Sequence, residues 1–201
     1  MTDDGLATSA LPTRFPAILS PDECRELVAE IDAVHHQRVR IWNGEEFQVD
    51  PESRMGAIAL LTEATEARVL ERLCGVVPEL QRRFGCELAH LSAITALIYG
   101  RGDHFAAHSD GGQDDEAPAE VRRRRVSLVL ALNDGASDFD GGELRFFPGC
   151  APYDTAHAEQ IVSVRSEPGL LIAFPSPMTH QVMPVRDGCR YSLALWALAP
   201  E

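Results

Sequence analysis

Histidine and aspartate side chains between Tyr99 and Asp110 have the types and the spacing of metal ligands. His108 and Asp110 are two residues apart, and residues two apart on an extended segment point to the same face. An imidazole nitrogen and a carboxylate oxygen would then converge on one point. His180, 72 residues further on, is the candidate third ligand. Two histidines and one carboxylate on one face of a metal ion suit Fe(II).

Arg190 and Ser192 follow His180 in a segment with the alternation of a strand, so their side chains are expected on the same face. The planar fork of an arginine and a nearby hydroxyl together form a good receptor for a carboxylate. The sequence therefore predicts an anion site close to the candidate metal site. A site that only binds a metal has no need of such a receptor.

In their order and spacing, these motifs resemble those of the Fe(II)- and 2-oxoglutarate-dependent oxygenases, in particular the prolyl 4-hydroxylase-like branch. The motifs are the stretch 99–110, the Gly-Gly-Glu turn at 141–143 and the segment 174–196. The resemblance extends over roughly residues 90 to 198. It implies a jelly-roll fold.

The resemblance also implies the role of each motif. His108, Asp110 and His180 would be the Fe(II) ligands, and 2-oxoglutarate and O2 would take the remaining metal positions. Arg190 and Ser192 would bind the 5-carboxylate of 2-oxoglutarate. Tyr99 matches a family tyrosine that lines the same pocket, although a core aromatic would also explain it.

The implied reaction hydroxylates an unactivated C–H and releases succinate and CO2. Its target would be an amino acid, a peptidyl residue (proline-like) or a small natural product, and ascorbate is a candidate stimulant. Asp110 favours hydroxylation, because halogenating relatives carry a small residue in the carboxylate position. The alternatives are a non-catalytic metal-binding jelly-roll sensor and an interaction module with a dead site.

His104 and Trp196 are candidate substrate-side residues. His104 has the strand parity of His108, so it is expected beside the ligands or on the substrate side. Trp196 has the parity of Arg190 and is expected to face inward, where it would line the pocket wall or pack in the core.

Arg122 is a third candidate on the substrate side. It follows the acidic loop 111–121, which is interpreted either as a substrate lid or as a solvated loop. If the loop is a lid, Arg122 would face the substrate. The arginine run 122–125 also fits a solvated strand edge.

Hydrophobic alternation and turn residues predict a mainly β chain with flanking helices: a double-stranded β-helix, or jelly roll, buttressed by N-terminal α-helices. A Ser-Pro-Asp-Glu start at 20–23 predicts a helix to about His35, and helical spacing returns at 65–73 and 78–84. Eight strands are predicted, at about 93–99, 104–108, 125–132, 142–147, 161–165, 170–174, 180–185 and 190–198.

The length and hydrophobic content fit a single domain, residues 1–201. Within it we expect a disordered tail (1–13), a helical buttress with substrate-side strands (14–87) and the jelly-roll core (88–198). The sequence carries no signal for an oligomeric state.

The charge and the cysteines limit the partners and the compartment. The net charge of −13 disfavours nucleic acid, whose phosphates an acidic surface repels. The five scattered cysteines fit a reduced, cytoplasmic protein. Neither a signal peptide nor a membrane span is visible, so the expected partner is a small-molecule or peptide substrate.

Overall fold

Two sheets of unequal size dominate the parts of the chain that the structure, a computed structural model, describes: residues 11–42, 47–111 and 117–201. The helices are α1 (Pro21–Ala33), α2 (Glu63–Cys74), α3 (Val77–Phe84), α4 (Ala119–Arg123) and a 3-10 helix (Pro152–His157). The strands are β1 (Thr13–Phe15), β2 (Gln37–Arg38), β3 (Ile41–Trp42), β4 (Phe47–Gln48), β5 (Arg54–Met55), β6 (Ala57–Ala59), β7 (His90–Leu91), β8 (Thr95–Tyr99), β9 (His104–His108), β10 (Arg124–Ala131), β11 (Phe139–Gly141), β12 (Leu144–Phe147), β13 (Val162–Val164), β14 (Leu171–Pro175), β15 (Thr179–Val182), β16 (Val185–Gly188) and β17 (Arg190–Leu198).

The larger sheet has the strand order β1-β14-β10-β17-β8-β6-β2, and β7 also pairs with β17. The smaller sheet has the order β13-β12-β15-β9-β5. Two short antiparallel pairs, β11-β16 and β3-β4, complete the strands of the described residues. Strands consecutive in sequence often lie in different sheets, as expected of a jelly roll.

Each face of the larger sheet covers a separate apolar cluster. The outer face packs on helices α1 to α3, through buried residues such as Leu27, Leu73 and Leu195. The inner face packs on the smaller sheet, where Tyr99, Phe146 and other apolar side chains fill the jelly-roll interior. Strand β17 contributes to both clusters because its successive side chains alternate between the two faces.

Helix α1 begins where the sequence predicts. Ser20 accepts a hydrogen bond from the Glu23 amide (3.2 Å), and Glu23 Oε2 accepts one from the Ser20 amide (2.8 Å). This capping box satisfies two amides that the first helical turn leaves without partners. The buried residues of α1, Cys24, Leu27 and Ile31, lie at helical spacing, so one face of the helix packs on the larger sheet.

The predicted fold class, a β core flanked by N-terminal helices, is confirmed. Two differences concern element bounds. Thr13 lies in β1 and pairs with Ala173, so the described end of the expected tail, 1–13, is part of a sheet, while residues 1–10 lie outside the described residues. Helix α4 (Ala119–Arg123) begins inside the predicted loop 111–121, and residues 112–116 of that loop lie outside the described residues.

Among the described residues, none of the helices has both the length and the apolar content needed to cross a membrane.

Candidate active site

Three predicted ligands, His108, Asp110 and His180, converge at one end of the smaller sheet. His108 is the last residue of β9. Strand β15 pairs with β9 so that His180 lies directly opposite His108. Asp110 follows two residues later, where its amide donates to the Ser176 carbonyl (2.9 Å). His108 Nε2 lies 3.5 Å from Asp110 Oδ1, and His180 Nε2 lies 3.6 Å from Asp110 Oδ2. The candidate ligand atoms all lie within 4.8 Å of one another.

The backbone selects the tautomer of both histidines. His108 Nδ1 lies 2.8 Å from the Ala106 carbonyl, and His180 Nδ1 lies 3.0 Å from the Met178 carbonyl. A carbonyl oxygen only accepts, so Nδ1 carries the proton in each ring. Nε2 of each ring therefore faces Asp110, and it is the nitrogen that carries the lone pair whenever the ring is neutral. Two lone pairs that face a carboxylate are the arrangement expected around a cation.

The charge states of the cluster also suit a cation. Burial and the neighbouring His108 lower the pKa of His180 to about 4, so the ring of His180 is neutral at physiological pH. Burial alone would raise the pKa of Asp110, but the neighbouring histidines and a hydrogen bond from Ser127 hold it well below its usual range. The carboxylate is therefore ionised. These protonation states are those required of metal ligands.

Arg190 lies in the jelly-roll interior with only 1% of its surface exposed. Its Nη1 donates to Ser192 Oγ (2.8 Å), and its buried Nε has no hydrogen-bond partner among the residues that the structure describes. Burial lowers the pKa of its guanidinium. The ion pairs found in the described part of the chain do not include Arg190. A buried cation with spare donors fits an anionic ligand, because leaving the charge unpaired is costly.

Tyr99 and Gly142 shape the space around Arg190. Tyr99 is opposite Arg190 in the β8–β17 pair, and the Arg190 guanidinium carbon lies 5.7 Å from the centroid of its ring. Gly142, in the predicted Gly-Gly-Glu turn, has φ +63°, and a Cβ there would lie 3.1 Å from Arg190 Cδ. The turn therefore needs glycine both for its backbone conformation and for the arginine beside it.

The residues present fit both Fe(II) and 2-oxoglutarate. Two imidazole nitrogens and one carboxylate on a single face match the donor set of non-haem Fe(II) sites. The buried guanidinium with its unpartnered Nε matches a carboxylate of the cosubstrate. Around the site, Phe174 packs edge-on against His180, with ring centroids 4.6 Å apart, and shields that side from water.

The sequence analysis missed Arg54 and Phe105. The Phe105 ring stacks on His108, with centroids 3.4 Å apart, and the Arg54 guanidinium carbon lies 4.2 Å from the centroid of Phe105. Arg54 belongs to the short strand β5, which pairs with β9. Phe105 lies three residues before His108, a spacing that strand alternation assigns to the opposite face.

A β-bulge accounts for the position of Phe105 and corrects the prediction for His104. His180 pairs with His108 but Val182 pairs with Phe105, so β9 has one residue more than β15 across this interval. The bulge brings Phe105 to the face of His108 and turns His104 away. His104 Nε2 instead lies 3.2 Å from the Glu52 carbonyl. The common face expected of His104 and His108 is therefore wrong.

Arg122 and Trp196 lie on different sides of the predicted substrate region. Arg122 is exposed on α4, where its Nη1 lies 2.5 Å from the Ala117 carbonyl. The arginine of this run that reaches the ligands is Arg124, whose Nη1 donates to the Asp110 carbonyl (3.3 Å). The Arg124 guanidinium carbon also lies 3.5 Å from a ring centroid of Trp196. Trp196 therefore contacts the part of the site beside Asp110, at the opposite end of β17 from Arg190.

Comparison with known proteins agrees with this geometry. The family described as the 2OG-Fe(II) oxygenase superfamily matches residues 94–198. A PKHD-type hydroxylase of Xanthomonas axonopodis pv. citri is 28% identical over 194 residues, which are 91% of this chain and 76% of that protein. Another, from Cupriavidus metallidurans, is 36% identical over 100 residues, 49% of this chain and 39% of that protein.

Solved structures share the fold. The crystal structure of a Pseudomonas putida prolyl-4-hydroxylase has a TM-score of 0.72 at 23% identity, with 94% of this chain and 93% of that chain covered. A viral collagen prolyl hydroxylase from Paramecium Bursaria Chlorella virus-1, in a 2OG complex, has a TM-score of 0.67 at 18% identity and covers 98% of this chain and 100% of that chain.

Proposed function

Because the chain belongs to the 2OG-Fe(II) oxygenase superfamily, we propose that His108, Asp110 and His180 bind Fe(II) and that Arg190 and its neighbours bind 2-oxoglutarate. The chain is a 2-oxoglutarate-dependent dioxygenase of the hydroxylase type, and its cofactors are Fe(II), 2-oxoglutarate and O2. Fe(II), when bound, supplies the activation of O2 that couples decarboxylation of 2-oxoglutarate to hydroxylation of a C–H bond.

One observation carries the assignment of residues: both Nε2 lone pairs face the two oxygens of one ionised carboxylate. The Nδ1 hydrogen bonds hold the His108 and His180 rings in that orientation without using a ligand atom. In the proposed site, Arg190 and Ser192 bind the 5-carboxylate, and Tyr99 donates from its hydroxyl to the same cosubstrate. Arg190 thereby orients the 2-oxo acid end towards the ligands.

The non-catalytic alternatives gain no support from the site. A sensor or an interaction module would need neither a buried arginine with spare donors nor two histidines held in the metal-binding tautomer. Both features are present together, on strands that share the jelly-roll interior.

For the substrate, we propose an unactivated C–H of an amino acid, of a peptidyl residue such as proline, or of a small natural product, with ascorbate as a stimulant. Trp196, with Arg124 stacked on it, is proposed to contact this substrate. His104 and Arg122 are proposed to act at most through the loops that they contact.

We also propose that residues 1–201 form one oxygenase domain, with 14–87 as helical buttress and substrate-side strands and 88–198 as jelly-roll core. The cluster that joins α1 to α3 with the larger sheet supports this. A reducing compartment such as the cytoplasm is proposed because the five cysteines are odd in number, scattered along the chain and form no Cys-x-x-Cys pair.

The test of the function measures succinate released from 2-oxoglutarate by the Fe(II)-loaded protein, together with iron stoichiometry. We expect His180→Ala and His108→Ala each to abolish succinate formation and to weaken Fe(II) binding, because either change leaves two protein ligands. His157→Ala is the matched control: this exposed histidine pairs with Asp154. A ligand variant that keeps wild-type iron content and turnover would refute the assignment.

A further inference from the structure

Arg54 is a cation inside the candidate site for which the proposed function has no use. Its Nη2 donates to the Tyr99 hydroxyl (3.3 Å), and its Nε is buried with no hydrogen-bond partner in the described part of the chain. No ion pair within 11–42, 47–111 or 117–201 includes it. Within the described parts of the chain, the Arg54 guanidinium therefore contacts a neutral hydroxyl, that of Tyr99, and the aromatic ring of Phe105.

The hydrogen bond from Arg54 determines what the Tyr99 hydroxyl can do. A guanidinium has five N–H donors and no acceptor, so the phenol oxygen must accept from it. The hydroxyl hydrogen then points away from Arg54. Among the described residues it has no acceptor, although Tyr99 is fully buried and a buried hydroxyl normally finds one.

The surroundings of Tyr99 indicate where that acceptor belongs. Tyr99 lies between two arginines: Arg54 is at its hydroxyl and the Arg190 guanidinium is 5.7 Å from its ring centroid. Both cations have a buried Nε that lacks a partner. An anion that enters between them would accept from the hydroxyl and lie within the field of both charges.

Arg54 is also held in place from the metal side. Its guanidinium packs on Phe105, which stacks on His108, so a single ring separates it from a candidate ligand. Gly56, two residues after Arg54, leaves room for the Tyr99 ring, because a Cβ there would lie 3.2 Å from Tyr99 Cδ1. The strand pair β5–β9 thus fixes the guanidinium against both the tyrosine and the ligand set.

We propose that Arg54 is a positioning residue for the cosubstrate, which holds the Tyr99 hydroxyl as a hydrogen-bond donor to 2-oxoglutarate. The inference rests on the function proposed above. It predicts that Arg54 acts largely through Tyr99, so the effects of changing the two residues overlap. It also predicts little effect on the metal, because Arg54 is not a ligand.

The test is a double-mutant cycle on 2-oxoglutarate affinity. The dissociation constant is measured under anaerobic conditions from the charge-transfer band of the Fe(II) protein, and by calorimetry with Zn(II) in place of Fe(II). We expect Arg54→Met and Tyr99→Phe each to raise it about 10-fold, the size of a lost hydrogen bond to a charged group. The double variant should also lie at about 10-fold, where independent effects would give about 100-fold.

Two comparisons separate positioning from a general structural role. Arg54→Lys should recover part of the affinity, because it restores the charge and a donor but not the fork. Arg145→Met is the matched control: Arg145 also has a buried, unpartnered Nε, but it alternates with the inward-facing Leu144 and Phe146 on β12. This control should bind 2-oxoglutarate as the wild type does.

A further readout needs neither metal nor cosubstrate. The chain has three tyrosines, so the Raman difference between the wild type and Tyr99→Phe isolates Tyr99. The intensity ratio of its ring doublet reports whether the phenol oxygen accepts a hydrogen bond. That ratio should shift in Arg54→Met and not in Arg145→Met.

The outcomes distinguish the inference from the function on which it rests. Wild-type protein that fails to bind 2-oxoglutarate overturns both. If the wild type does bind 2-oxoglutarate, any one of three results overturns the role of Arg54 alone. These are an unchanged 2-oxoglutarate affinity in Arg54→Met, additive effects in the double-mutant cycle, and a loss of Fe(II) affinity in Arg54→Met equal to its loss of 2-oxoglutarate affinity. If Arg54→Met does not fold, Arg54→Ala carries the same comparison, because it also removes every donor to Tyr99, and an Ala variant with wild-type affinity and an unshifted Raman ratio decides against the proposal.

Discussion

At the scale of residues, the candidate site depends on what each polar side chain can still donate or accept once its backbone contacts are made. His108 and His180 each use Nδ1 on the carbonyl two residues earlier in the chain, so only Nε2 remains for a ligand. Arg190 uses one donor on Ser192, and its buried Nε has no hydrogen-bond partner among the described residues. The site therefore offers the Nε2 atoms of two histidines beside a cationic receptor, Arg190. Fe(II) requires electron-pair donors of this kind, and a dicarboxylate requires such a receptor.

Arg190 provides a prediction at this scale. Arg190→Ala should raise the dissociation constant for 2-oxoglutarate by about 100-fold or more, because the carboxylate loses a buried charged partner worth about 3 kcal/mol. Arg190→Lys should be intermediate, since a point charge cannot reproduce the fork. Anaerobic titration of the Fe(II) protein measures both, and Fe(II) affinity should survive. Unchanged 2-oxoglutarate affinity in Arg190→Ala would mean that the cosubstrate is anchored elsewhere.

At the scale of elements, single irregularities decide which side chains meet. The β-bulge in β9 brings Phe105 to the face of His108, and the short strand β5 supplies Arg54 to the same place. The turn before β12 places a glycine against Arg190. These features position the site although none of them contributes a proposed ligand.

Gly142→Ala tests the turn. The residue has φ +63°, so alanine should cost about 1–2 kcal/mol of unfolding free energy from backbone strain, and its Cβ should also displace Arg190. We expect a several-fold weaker binding of 2-oxoglutarate. Gly149→Ala is the matched control, because it has φ +73° with nothing within 4 Å of the added Cβ. Chemical denaturation and 2-oxoglutarate titration of both variants separate strain from displacement; equal affinities would contradict the proposed contact.

Glu30 joins two helices and gives a prediction on pH. Its carboxylate accepts from the Thr62 amide (3.0 Å) and the Thr65 hydroxyl (2.7 Å) at the start of α2. Burial alone would raise the pKa of Glu30, but these hydrogen bonds hold it below the usual 4.5. The unfolded chain therefore binds this proton more tightly than the folded chain. The stabilisation is complete above the unfolded pKa and is lost as the pH falls through the folded pKa.

Glu30→Gln should thus lower the unfolding free energy by about 1 kcal/mol at pH 7, a value that allows for the partial exposure of the carboxylate. The difference from the wild type should shrink as the pH falls below about 4.5 and should vanish below the folded pKa, where Glu30 is neutral in both states. Urea denaturation across pH 3 to 7 measures it. Glu26→Gln on the same helix, with an exposed carboxylate 3.8 Å from Arg68, should show little effect at any pH. A pH-independent loss in Glu30→Gln would contradict the linkage.

At the scale of the whole molecule, the two faces of the larger sheet have different roles. Helices α1 to α3 pack on its outer face and contribute to stability, and its inner face carries the site residues Tyr99 and Arg190. Strand β17 serves both faces through the alternation of its side chains, so one element positions the receptor and anchors the buttress. Changes in the outer cluster should therefore affect folding more than binding.

Leu27→Ala tests this separation. Leu27 has 1% of its surface exposed in the outer cluster, so its truncation should lower the unfolding free energy by about 2–5 kcal/mol. The folded variant should keep wild-type affinity for Fe(II) and 2-oxoglutarate. Leu60→Ala, at a leucine that is 69% exposed, should change neither quantity much. Weaker 2-oxoglutarate binding in folded Leu27→Ala would show that the helices support the site directly.

Local patterns in the sequence were enough to predict much of this protein. Strand alternation and turn residues predict the jelly roll, the capping box predicts the start of α1, and the His-x-Asp and Arg-x-Ser spacings select side chains that the fold brings together. These signals suffice because each depends on residues a few positions apart, whose relative directions the backbone period determines.

The tertiary structure alone decided which other residues join the site. Arg54 reaches Tyr99 only because β5 pairs with β9 across the smaller sheet, and Phe105 faces His108 only because a bulge adds one residue to β9. A one-residue shift in register moves a side chain to the opposite face of a strand, which is why His104 was misplaced. Register between distant segments is determined by the packing of the whole core, and no local period in the sequence records it.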